Sequence, residues 1–255
     1  MSTRNIPEES PSTQTPQRFP IPSAAPRATY IFLSVNIVVF VAQFGLQLAA
    51  GQIASNLVFA FGAKINEFIV AGQYYRLVTM IFLHGGLVHL AFNSYALYII
   101  GPTVERPFGS LRFLIVYLLS GVTGSIFSFI FNPHPAVGAS GAIFGLIGAS
   151  GVYLFTHRRV FGALAKQRLN SIAMITIINL VIGLNPGIDN WAHIGGLIGG
   201  GVLAWLIEPV WQLESDYSGA AQVVDSSPLK GRWPVVLAYG FAIVAGIMLG
   251  TAVQR

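Results

Sequence analysis

Residues able to carry out acyl transfer stand at separated points of this chain, each in apolar surroundings. Ser140 lies in Gly138-Ala139-Ser140-Gly141, His193 in Trp191-Ala192-His193-Ile194-Gly195-Gly196, and His89 and Asn93 are four residues apart. A serine hydroxyl is a weak nucleophile until a base takes its proton, and histidine titrates near neutral pH, where such a base works best. Glycines around Ser140 leave Oγ uncrowded and let the backbone approach a substrate. If Ser140 opens a helix, its backbone N–H has no intrahelical partner and is free to donate to an oxyanion. His89 and Asn93 project from one helix face, and their N–H groups offer further donors. The chemistry in view is hydrolysis through a nucleophile, Ser140, and a base, His193, with the Ser140 amide, His89 and Asn93 stabilising the oxyanion.

Each motif alone has a plainer reading. A small-residue run around a serine also serves helix packing, a buried histidine can simply bond a carbonyl, and His89 and Asn93 could cross-link helices. His84 either lines the site entrance or caps the helix that carries His89. His134 and His157 are loop residues without an assigned role. What favours chemistry is the joint occurrence of these groups, and that depends on the elements that carry them.

Those elements are membrane spans. The chain has 255 residues and 27.4 kDa, with 9% charged and 54% hydrophobic residues. About 25% charged is usual for a soluble domain, so an ordinary soluble enzyme is excluded. The absence of cysteine excludes disulfides, thiol catalysis and cysteine-held metals. Uncharged stretches run over Ala28–Ala63, Leu77–Val104, Phe113–His157, Leu169–Ile188, Asn190–Ile207 and Trp233–Gln254. A span needs about 20 apolar residues. The third stretch is long enough for two, and Asn132-Pro133-His134-Pro135 marks the break. The expected fold is an all-α membrane protein, a polytopic bundle of seven transmembrane helices near 28–48, 84–103, 112–131, 139–156, 170–184, 190–208 and 233–253.

With a cytoplasmic N-terminus, Arg4, Arg18, Arg27, Arg106, Arg112, Arg158, Arg159, Lys166, Arg168, Lys230 and Arg232 fall inside, and only Lys64, Arg76 and Arg255 outside. This follows the positive-inside bias. The net charge of +5 is thus a matter of topology, and no nucleic-acid partner is expected. Residues 1–27 read as a flexible cytoplasmic tail without the apolar core of a signal peptide, and 209–232 as a polar cytoplasmic linker. Under this topology the second, fourth and sixth spans run the same way, and bring His89, Asn93, Ser140 and His193 to one depth near the outer surface. Small-residue stripes, Gly141-Gly145-Ala149 and Gly196-Gly200-Ala204, let the fourth and sixth spans approach closely. Asp189, one turn above His193, is better placed to cap its helix than to orient the imidazole.

With these residues in place, the chain resembles the rhomboid intramembrane serine proteases over roughly residues 28–208. The motifs are His89-x-x-x-Asn93, Gly138-Ala139-Ser140-Gly141 and Ala192-His193-x-x-Gly196-x-x-x-Gly200, with Gly101-x-x-x-Glu105 at the inner end of the second span. The long first loop, 50–83, also fits, and carries Tyr75-Arg76 where many relatives have Trp-Arg. The resemblance implies a six-helix core plus one C-terminal helix, 233–255, and a Ser140–His193 dyad without an acid. It also implies oxyanion roles for His89 and Asn93, and cleavage of transmembrane protein substrates near their outer end. The absence of an obvious transit peptide points to a bacterial plasma membrane; the expected partners are the lipid bilayer and membrane-protein substrates, and no cofactor or metal is expected.

Other classes fit less well. No His-Glu-x-x-His is present for a metallohydrolase, and His84 and His89, about 140° apart around a helix, make a poor ligand pair. Ala142 stands where an α/β-hydrolase elbow needs its distal glycine spacing. A small-solute transporter would show an internal repeat or mid-membrane charges. A binding-only relative that captures membrane proteins without cutting them would lack the nucleophile or the base, and both are present.

Overall fold

A computed structural model describes residues 21–215 and 221–255. The helices are α1 (Arg27–Gly62), α2 (Asn66–Val70), α3 (Arg76–Thr79), α4 (Leu87–Phe108), α5 (Ser110–Phe131), α6 (Ser140–Thr156), α7 (Arg158–Phe161), α8 (Ala163–Ile182), α9 (Asn190–Ile207) and α10 (Trp233–Val253). A 3₁₀ turn, Met80–Phe82, follows α3. Strands β1 (Trp211–Ser215) and β2 (Ala221–Asp225) form an antiparallel hairpin.

The bundle is built around α5, α6 and α9, whose small residues are mostly buried. Around them α1, α4, α8 and α10 turn large apolar side chains outward, among them Leu48, Phe92, Ile177 and Phe241. Exposed apolar surface of that extent is tolerated where the surrounding medium is lipid. Five helices among the described residues are long and apolar enough to cross a membrane: α1 over Arg27–Ala54, α4, α5, α9 and α10. The apolar α6 is shorter, at 17 residues. α8, which opens with Lys166, Arg168 and Asn170, is not among the five. The chain is an integral, multi-pass helical membrane protein.

Several expected boundaries move. The first helix does not stop near residue 48; it kinks at Gly51, where φ is +79°, and runs on to Gly62. Glycine alone takes that conformation without strain, so the helix bends instead of ending. The loop expected over 50–83 thus contains the end of α1, two short helices and a 3₁₀ turn. α4 starts at Leu87, not 84, because the extended Gly86 precedes it. Most of the basic loop 157–169 is helical, in α7 and the start of α8. The 209–232 segment holds the β hairpin, anchored to the start of α5 by Arg112, whose Nη2 lies 2.7 Å from Asp225 Oδ2. The tail reading for residues 1–27 lies outside the described residues as far as residue 20.

Buried polar groups tie helix ends. Glu105 is fully buried, and its carboxylate accepts from Ala28 N (2.8 Å), Thr29 N (2.7 Å), Thr29 Oγ1 (2.7 Å) and Ser110 Oγ (2.6 Å). It therefore serves the free N–H groups that open α1, where negative charge is favoured by the helix dipole. Gly101, one turn earlier, has no side chain to keep Thr29 away. At the other end of α1, Arg76 donates to the carbonyls of Ala60 and Ala63, and its guanidinium lies 4.6 Å from the Phe68 ring centre. The Tyr75-Arg76 pair thus holds the end of α1.

Candidate active site

The nucleophile candidate sits where chain geometry is most constrained. Asn132–Ala139 cannot continue α5, because Pro133 and Pro135 lack N–H donors. Gly138 follows at φ +131°, a backbone state that a side chain would strain, and α6 begins at Ser140. Ser140 N is thereby among the first-turn amides that make no intrahelical bond.

α6 and α9 pack closely enough for their backbones to touch. A Cβ at Gly196 would lodge against the carbonyl of Gly141, and one at Gly200 against that of Gly145. The two expected stripes face each other. With the helices this near, His193 Nε2 lies 2.9 Å from Ser140 Oγ. The imidazole is stacked flat on Phe144, with ring centres 4.3 Å apart and planes 4° from parallel. His193 Nδ1 is buried and meets no hydrogen-bond partner. For Nε2 to accept the Ser140 proton, Nδ1 must carry the ring N–H. Among the described residues no acid bonds that nitrogen, and the ring lies against the face of Phe144.

Asp189 is engaged elsewhere. It is the N-cap of α9, accepting from Ala192 N at 3.2 Å, and its other oxygen accepts from Ser128 Oγ. That matches the capping role expected for it, and ties the start of α9 to the end of α5.

His89 and Asn93 face the nucleophile's turn. His89 Nδ1 accepts from Gly85 N at 3.4 Å, which leaves the ring proton on Nε2. An imagined Cβ on Gly138 would meet His89 Nε2 at 2.7 Å and Asn93 Nδ2 at 3.6 Å. Asn93 Nδ2 is buried without an acceptor. Two donors therefore stand beside the turn two residues before Ser140, one of them unpaired in a place where unpaired donors are costly. His84 does not cap α4, whose N-terminus has no side-chain cap. It is buried behind His89, ring centres 5.2 Å apart, and lines a cavity of about 660 Å³ between α1 and α4. Glu105 lies at the opposite end of α4 from His89.

The structure thus brings Ser140, His193, His89 and Asn93 together, and residues 71–209 of the chain, which hold all four, match the rhomboid domain. The chain belongs to the rhomboid family. Similarity to individual rhomboids agrees. The chain is 32% identical to the rhomboid protease AarA of Providencia stuartii over 224 residues, 78% of each protein. It is 47% identical to the rhomboid protease GluP of Bacillus subtilis over 69% of this chain and 34% of that protein. It is 40% identical to RHOMBOID-like protein 9, chloroplastic, of Arabidopsis thaliana over 61% of this chain and 36% of that protein. The chain spans about a third of the length of the last two relatives. Rhomboid relatives named as proteases place this chain in a protease family.

Two residues beside the rhomboid site escaped the sequence reading. Phe144 is one helical turn after Ser140 on α6, a spacing that marks it as a neighbour of the same face. Lys64 is fully buried against the segment that leads to Ser140. Its sequence signal was only that it ends the long uncharged stretch containing the first span.

Proposed function

We propose that this protein is an intramembrane serine endopeptidase that cleaves transmembrane protein substrates near the outer membrane face by a Ser140–His193 dyad. The observation that carries the proposal is the 2.9 Å contact of His193 Nε2 with Ser140 Oγ. In the proposed reaction, Oγ bonds to the scissile carbonyl carbon while its proton passes to Nε2. The negative charge that develops on the carbonyl oxygen is met by Ser140 N–H, His89 Nε2–H and Asn93 Nδ2–H. Collapse breaks the C–N bond, His193 returns the proton to the leaving amine, and water then releases the acyl group by the same route.

The proposed protease core is residues 28–208, preceded by a cytoplasmic tail over 1–27. A hairpin-bearing cytoplasmic linker, 209–232, leads to a seventh span and C-terminus, 233–255. The seven proposed crossings rest on the uncharged stretches, and the cytoplasmic N-terminus on the placement of the basic residues. Similarity to proteins of Bacillus subtilis and Providencia stuartii supports a bacterial plasma membrane. The competing reading is a binding-only family member. A fluorophosphonate serine probe separates the two: it should attach to Ser140 in the wild type and not in Ser140→Ala or His193→Ala. A wild-type protein that stays unlabelled, folded and in liposomes, would favour the binding-only reading.

A further inference from the structure

Lys64 has its side chain fully buried, yet it meets no carboxylate at ion-pair distance; among the described residues the ion pair formed is Arg112–Asp225. Its Nζ donates instead to the carbonyls of Asn132 (2.6 Å) and His134 (2.8 Å). Its backbone pairs in both directions with Ala136, Lys64 N to Ala136 O at 2.9 Å and Ala136 N to Lys64 O at 3.1 Å. One residue therefore takes the carbonyls of residues 132, 134 and 136. Alternate carbonyls of an extended strand point to one side, which is what lets a single partner reach them all. Pro133 and Pro135 hold the residues before them extended and offer no N–H of their own. Two residues beyond Ala136, Gly138 N donates to Met80 O at 2.8 Å, and two further on is Ser140.

We propose that Lys64 is a positioning residue for the nucleophile: by gripping Asn132–Ala136 along one edge, it sets the register of the turn that presents Ser140 and its amide to His193. The proposal rests on the serine-protease reading of the site. An apolar side chain of the same length would fill the space without burying an ammonium, but it would take the Lys64 donors away from the carbonyls of Asn132 and His134 and leave that segment unheld. A lysine has what the place demands, several donors on a stem long enough to reach two carbonyls at once. Asn66 supports the same end of α5 through Phe129 O (3.2 Å) and Asn132 O (3.3 Å). Ser128, one turn back on α5, is bonded to Asp189 at the start of α9. The end of α5 is therefore held on one side to the segment bearing Lys64 and Asn66 and on the other to the helix bearing His193.

The test uses the full-length protein in liposomes, with a fluorophosphonate labelling rate for Ser140 and kcat and KM for a single-span substrate. Lys64→Met keeps the stem and removes the donors; Lys64→Arg keeps donors and charge. Lys64→Met should label at least ten-fold more slowly and lose kcat in proportion, with KM within two-fold of wild type, while Lys64→Arg recovers most of both. Thermal unfolding of each variant is read alongside. Wild-type labelling and kcat in folded Lys64→Met would overturn the proposal. So would a Lys64→Met protein that fails to fold, or a loss carried by KM, since either would make Lys64 a residue of stability or substrate binding. Ser140→Ala is the control that keeps the two claims apart. If it still cleaves, the serine-protease reading fails; if it is silent while Lys64→Met is normal, only the role of Lys64 fails.

Discussion

At the scale of single residues, the site is defined by what touches His193 and what is left unpaired. Its Nδ1 has no acceptor, and the nearby acid, Asp189, is occupied with Ala192 N and Ser128 Oγ. Asp189→Asn keeps an oxygen for the helix cap and a group for Ser128, so turnover should stay within a few-fold of wild type. A loss as deep as that of His193→Ala would mean the carboxylate takes part in catalysis. The donors of His89 and Asn93 have a different signature. Loss of one oxyanion donor costs about 10²–10³ in rate in a soluble serine protease. Asn93→Ala and His89→Ala should each lower kcat at least ten-fold, and the double variant should fall short of the product if both serve one oxygen, as proposed. Substrate turnover with thermal unfolding in parallel decides this: turnover lost only in step with stability would reduce both residues to helix cross-links.

The residue types were legible in the sequence because their chemistry is rare in an apolar chain. Ser140, His193, His89 and Asn93 stand out for that reason, and the structure puts them in one place. Phe144 and Lys64 did not stand out. A phenylalanine in a span reads as lipid or core until the ring it stacks on is known. The partners of Lys64 are backbone carbonyls, which carry no side-chain identity for a sequence to display.

At the scale of elements, everything depends on how closely α6 and α9 approach. Gly141 and Gly196 meet backbone to backbone, one residue from Ser140 and three from His193. Gly196→Ala places a methyl against a carbonyl that cannot rotate away. Overpacking of this kind costs about 1–3 kcal/mol, and here part of it must appear as separation of the two helices. The expected result is a protein that still folds, with a modestly lower thermal midpoint, and labels with a fluorophosphonate at least ten-fold more slowly. Unchanged labelling would show that the seam tolerates the methyl and does not set the Ser140–His193 distance. Small-residue stripes at four-residue spacing announced this seam. Helix ends were harder to read: the kink at Gly51 and the start of α4 after Gly86 are settled by backbone torsions and tertiary partners such as Arg76 at the carbonyls of Ala60 and Ala63. The paired strands 211–215 and 221–225 were missed because each is only five residues long and mixes polar with apolar residues, and so resembles a linker.

At the scale of the molecule, a lipid-facing bundle encloses a small set of buried polar ties, and Lys64 is one that titrates in an accessible range. Burial holds its ammonium down to about 8 from an ordinary 10.5, although Asp189 and Glu67 act in the opposite direction. Between those values the unfolded chain binds a proton that the folded protein does not, so this group makes stability rise with pH from about 8 to 10.5. Below about 8 both states carry the charge and its burial cost is fully felt. Thermal midpoints in detergent should therefore climb across that window more steeply in the wild type than in Lys64→Met, which has nothing there to titrate. Parallel curves would show that the amine is not shifted.

The central claim, that Ser140 and His193 together cut a membrane-embedded peptide bond, is tested most directly by cleavage of a single-span substrate in proteoliposomes, with the product termini sequenced by mass spectrometry. The wild type should give one principal cut near the outer end of the substrate span, and Ser140→Ala and His193→Ala should give none. Cleavage that persists in Ser140→Ala, or a cut at the cytoplasmic end of the span, would contradict it.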